Sequence, residues 1–209
     1  MGEEAVLVTR VGAAAGSRAA AAALACAGSD AERAGLLIDL GAARPRPSLI
    51  ATAAARRLEE RLAAHLPEAG VASRGRICQI SLSSEPCALQ QVAGALAVVR
   101  ESIGVVHLPP PALQPALADS RIRPSGALLC ADLARDRALT ALAAGDLVRR
   151  GVRVAVLKRP LAWIAARLAL AGVLGSGDVG LPPRLCRRLL AQEDTVSVFH
   201  PERTAEDFG

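Results

Sequence analysis

The sequence predicts an α/β protein: a doubly wound, mainly parallel sheet of about six or seven strands with helices on both faces. Three observations carry this. Strand-like apolar runs alternate with segments of helical period, six times in a row. The runs are nearly continuous in Val, Leu, Ile and Ala, as expected for strands covered on both faces. Hydrophobic residues are 52% and charged residues 22% of 209, enough to build one full core. With 1% aromatic residues and no Tyr, that core is aliphatic.

The elements follow in order. Ala5-Val6-Leu7-Val8-Thr9 is the first strand, leading through Gly12 and Gly16 into an Ala-rich helix that ends near Gly28. Leu36–Leu40 is the second, closed by Gly41 and a Pro-rich turn. Ser48 is placed to cap the next helix, in which Ile50, Ala54, Leu58 and Leu62 fall four apart on one face. Ile77–Leu82 is the third strand, and a helix over Pro86–Arg100 follows it. The fourth, Ile103–His107, stops at three prolines, with a short helix over 112–118. The fifth, Gly126–Ala131, leads to a helix over Asp136–Arg150 that ends at Gly151. The sixth is Arg153–Leu157, and Pro160 opens a helix to Leu174. From Gly175 the composition shifts to Gly and Pro, so the chain divides into an α/β domain over 1–174 and a linker with a C-terminal appendage over 175–209. In the latter, Arg184–Leu190 reads as a short basic helix and Val196–Phe199 as a last strand.

Charge and cysteine usage narrow the function. The net charge of +5 comes almost entirely from scattered Arg; the one lysine is Lys158. No long basic run and no aromatic platform is present, which argues against nucleic acid as a partner. Cys26, Cys78, Cys87, Cys130 and Cys186 are odd in number and irregular in spacing, with no CxxC. They read as buried free thiols in a reducing compartment, with no metal site. Glu3, Glu4 and Arg18 are out of place in a secretion signal, and Leu161–Leu174 is too short to span a bilayer, so a cytoplasmic protein is expected. Trp163 and Arg167, with the basic segment at Arg184, Arg187 and Arg188, leave room for peripheral contact with the inner membrane face; the ordinary reading is packed and solvated helices.

Ligands of such folds bind at the carboxyl ends of the strands. Four strand ends carry the polar residues: the loop Arg10-Val11-Gly12-Ala13-Ala14-Ala15-Gly16-Ser17-Arg18, then Asp39, then His107-Leu108-Pro109-Pro110, then Lys158-Arg159. Strand, glycine turn and helix N-terminus form the layout of a phosphate cradle, because small residues let backbone N–H groups approach an anion. The plainer readings stay open: a tight strand–helix connection at Gly12 and Gly16, Asp39 as a cap or an arginine partner, and His107 packed at a strand end. No GxSxG or HExxH occurs, and no nucleophile–base pair is evident in the sequence.

The order and spacing of these ends resemble the MinD/ParA-type, deviant Walker P-loop ATPases, closest in flavour to the CpaE and TadZ pilus-assembly and localisation proteins. The resemblance covers roughly residues 5–160, by pattern more than by identity. That family opens with KGGxGKT, ends its second strand in Asp-x-Asp, and runs a later strand into Asp-x-Pro-Pro. Against this pattern Gly12 replaces the signature lysine, Gly16 keeps the last glycine, Ser17 replaces the phosphate-binding lysine, and Arg18 replaces the magnesium-binding hydroxyl. Asp39 keeps the first Asp, Gly41 replaces the second, His107 replaces the Asp before Pro-Pro, and Lys158 falls near a base-contacting Asn.

Phosphoryl transfer relies on cations placed around spread negative charge, so these losses predict no hydrolysis. The resemblance therefore implies a non-hydrolysing pseudo-ATPase without metal or required cofactor. It would act by binding other proteins, as a homodimer, in positioning a Tad/Flp-type pilus or the division site. Two alternatives stand beside it: a switch that binds ATP or ADP without efficient hydrolysis, and an α/β-fold enzyme using His107 and Asp39.

Overall fold

The structure is a computed structural model of the full chain, and it describes residues 5–14, 16–30, 32–41, 45, 50–83, 88–99, 104–157 and the backbone of 196–199. Its elements are β1 (Ala5–Arg10), α1 (Ser17–Ala27), β2 (Gly35–Leu40), α2 (Ala53–His65), β3 (Gly70–Arg74), β4 (Ile77–Leu82), α3 (Ala88–Val98), β5 (Gly104–Leu108), α4 (Pro110–Ala118), β6 (Pro124–Cys130), α5 (Leu133–Arg149), β7 (Arg153–Leu157) and β8 (Val196–Phe199).

One eight-stranded sheet runs in the order β3-β4-β2-β5-β1-β6-β7-β8. All pairings are parallel except those of the two edges, β3 with β4 and β8 with β7. The chain is thus the expected α/β, doubly wound and mainly parallel. The strand the sequence did not announce is β3. It holds only Val71 and Ala72 as apolar residues and lies at an edge, where burial demands no apolar run.

The pleat sorts side chains onto two faces. On one face Val8, Leu37, Val105 and Leu128 pack against Ala20, Ala21 and Ala25 of α1. On the other, Leu7, Ile38, Val106 and Leu129 meet Leu62 of α2, Val92 of α3, Ala116 of α4 and Leu147 of α5. The Ala-rich surface of α1 lets its backbone lie close to the sheet. At the start of β2 the approach is so close that a Cβ on Gly35 would overlap the carbonyl of Ala25.

Helix ends follow local chemistry, with two departures from expectation. The cap of α2 is Thr52, whose hydroxyl accepts from Ala55 N at 3.3 Å; Ser48 lies outside the described residues. Of the expected stripe, Ala54, Leu58 and Leu62 are buried, while Ile50 precedes the helix and is exposed. Asp132 caps α5 by accepting from Ala134 N, and the helix kinks at Asp136 (φ −115°, ψ 24°). The residues expected to form the helix after β7, the linker and the basic helix lie outside the described residues. Among the described residues no helix is long and apolar enough to cross a membrane.

Candidate functional site at the carboxyl ends of β1, β2 and β5

Strand order decides which ends meet. β1 and β5 are hydrogen-bonded neighbours, and their following helices α1 and α4 pack on opposite faces of the sheet. That is a topological switch point, the place where such sheets open a crevice. β2 lies on the far side of β5, and Asp39 is in register with His107. The pleat puts Asp39 on the same face as Leu37, and His107 on the same face as Val105, which is the face covered by α1. On the opposite face Thr9 Oγ1 donates to Leu108 O at 2.9 Å, tying the two strand ends together.

The β1–α1 loop supplies the third side. Val11 N donates to Cys130 O at 2.9 Å, anchoring the loop at β6. Gly12 (φ 58°) and Gly16 (φ 88°) then adopt left-handed backbone that other residues rarely enter. Gly16 is the residue before α1 and offers no side-chain cap to the helix that Ser17 begins.

These placements build a continuous polar chain. Ser17 Oγ is 2.9 Å from His107 Nε2, and His107 Nδ1 is 2.8 Å from Asp39 Oδ1. All three residues are buried, Asp39 completely, with 6% of Ser17 and 7% of His107 exposed. An ionised carboxylate only accepts, so Nδ1 carries the proton facing Asp39. In the neutral imidazole Nε2 is then bare and accepts the Ser17 hydroxyl. Arg18 Nε stands 2.7 Å from Asp39 Oδ2, its side chain 57% exposed. The contact is an ion pair without hydrogen-bond alignment, and Oδ2 accepts no hydrogen bond among the described residues.

A second carboxylate faces the same loop. The kink at Asp136 turns its side chain onto Gly12, where a Cβ would collide with the carboxyl group. Asp136 Oδ2 is buried and accepts no hydrogen bond among the described residues.

Six of the seven residues that the sequence singles out, Gly12, Gly16, Ser17, Arg18, Asp39 and His107, therefore converge; Lys158 lies outside the described residues. The arginine-partner reading of Asp39 holds, with Arg18 as the arginine. What sequence reasoning missed is the Ser17–His107 pair and the part of Asp136. The first depends on β1 lying beside β5, and the second on a kink in the opening turn of α5. His65 stays apart on α2, its Nδ1 2.8 Å from Arg61 O. A cavity of about 750 Å³ also lies away from the polar chain, beside α2 and α3, lined by Arg57, Arg61 and His65 among others. Among the described residues no three His, Cys, Asp or Glu side chains group as metal ligands would.

No protein-family model, no curated protein and no solved structure matches the chain.

Proposed function

We propose that the protein is a MinD/ParA-like domain that does not hydrolyse nucleotide and acts by binding other proteins, as a positioning factor for an assembly such as a pilus or the division machinery. The observation that carries the non-hydrolysing reading is the carboxylate of Asp136 packed on Gly12. Gly12 stands where the resembled family has its signature lysine, so the loop meets a negative group where bound phosphates require a positive one. Arg18, the cation that follows the loop, is engaged by Asp39 at 2.7 Å. Both features also weigh against the switch that binds nucleotide without turning it over.

Support for a protein partner comes from the resemblance, together with α5. Leu139 and Leu142 lie one turn apart there and are 55% and 69% exposed. The test measures hydrolysis of Mg-ATP and equilibrium dialysis of ATP and ADP, with light scattering of the intact chain in parallel. The reading expects no turnover, no binding at millimolar nucleotide, and a dimer that Leu142→Glu weakens if α5 forms the contact. Catalytic turnover, or saturable nucleotide binding below a millimolar, would overturn it.

A further inference from the structure

We propose that Ser17 is a nucleophile for acyl transfer, with His107 as its base and Asp39 as the residue that orients the base. The inference goes beyond the reading above, because it gives chemistry of a different class to the loop that no longer suits phosphate.

The geometry follows in three steps. Ser17 Oγ lies 2.9 Å from Nε2 of His107, inside the distance over which a proton is passed. The other ring nitrogen is held 2.8 Å from Asp39 Oδ1, which fixes the tautomer that leaves Nε2 free to accept and balances the imidazolium when it forms. Arg18 places a positive charge 2.7 Å from Oδ2 of the same carboxylate.

The backbone completes the arrangement. Ser17 is the first residue of an eleven-residue helix whose preceding residue, Gly16, has no side chain to cap the first turn. The N–H groups and positive end of a helix N-terminus stabilise a carbonyl oxygen that gains negative charge during attack. A strand–turn–helix that carries a serine at the helix start, beside a neighbouring strand end that carries histidine, places hydroxyl and imidazole together at the carboxyl end of a parallel sheet.

The substrate class is a small ester or thioester, in keeping with the 6% exposure of Ser17. His107 Nε2 takes the Ser17 proton as Oγ bonds to the carbonyl carbon. The bond to the leaving alcohol or thiol then breaks, and that group takes the proton from Nε2. Water attacks the acyl-serine in the same way: Nε2 takes one proton from it, the acyl–Oγ bond breaks, and Oγ recovers the proton. The products are a carboxylic acid and the alcohol or thiol.

The test treats the intact chain with diisopropyl fluorophosphate and locates the adduct by peptide mass spectrometry, with p-nitrophenyl acetate hydrolysis measured alongside. The expected result is an adduct on Ser17 ahead of every other serine. Ester turnover should be lost in Ser17→Ala and lowered by at least about 100-fold in His107→Gln. Absence of a Ser17 adduct in the folded wild-type chain overturns the proposal. So does Ser17→Ala hydrolysing the ester as fast as wild type. Adduct formation is read on the wild-type chain, so it decides the question even where a variant fails to fold. It is also independent of the nucleotide measurements above.

Discussion

Asp39 serves two partners from one buried position, with Oδ1 facing His107 and Oδ2 facing Arg18. Asp39→Ala leaves the buried His107 Nδ1–H without an acceptor, and we expect a loss of about 2 kcal/mol in urea denaturation. Arg18→Ala removes a half-solvated ion pair and should cost under about 1 kcal/mol. Equal costs would mean that the histidine gains little from its carboxylate. Asp136 is the converse case, since its buried Oδ2 accepts no hydrogen bond among the described residues. Asp136→Asn keeps the shape around an Oδ2 that accepts no hydrogen bond among the described residues, so the variant should be as stable as wild type or more stable by about 1 kcal/mol. A large destabilisation would show that the carboxylate is paired in solution. At this scale the sequence was only half legible. Gly12, Gly16, Asp39 and His107 stood out by position at strand ends. Ser17 was visible only as a missing lysine, because nothing local to residues 10–18 says that His107, ninety residues on, lies above it.

The placement of α1 depends on a small residue at the start of β2. At the far end from Ser17, Gly35 lets the Ala25 carbonyl sit where any side chain would be. Gly35→Ala must push α1 away from β2 or distort the strand, at a cost of about 1–3 kcal/mol. Ser17 and His107 face each other only while α1 holds its place, so the same variant should weaken any chemistry at Ser17 without touching it. The measurement is the melting temperature together with fluorophosphate labelling of Ser17. Thr52→Ala offers a local control: it removes the α2 cap at a cost of about 1 kcal/mol and should leave labelling unchanged. The parallel strands were readable because burial on both faces forces continuous apolar runs. The edge strand β3 was not, since its stability rests on pairing with β4 and on Glu59, which reaches from α2 to accept hydrogen bonds from the backbone and hydroxyl of Ser73. The start of α5 was set three residues late because the cap, Asp132, precedes a kink that interrupts the periodic pattern.

Across the whole molecule, the sheet buries thiols as it buries leucines. Among the described residues Cys26, Cys78 and Cys130 are buried. Burial, with the charge of Glu59 adding to it, pushes the Cys78 thiol up from 9.0 to about 12, and burial alone pushes Cys130 to about 12. The folded state therefore holds these protons more tightly than the unfolded chain. The resulting stability is complete below about pH 9 and is lost as pH rises from there toward about 12. The urea midpoint should fall over that range, and less steeply in a chain carrying Cys78→Ala and Cys130→Ala. Iodoacetamide at neutral pH should spare both residues in the native chain; rapid modification of either would show that the core opens readily. The same architecture brings the ends of β1, β2 and β5 together and fills the loop between them with Ser17, His107, Asp39 and the carboxylate of Asp136. The most direct check is an NMR titration of the backbone amides of residues 12–20 with Mg-ATP and Mg-ADP to several millimolar. The proposed non-hydrolysing, non-binding loop predicts amide shifts that do not change. Saturable shifts at Gly12, Gly16 and Ser17 would contradict it and return the loop to nucleotide.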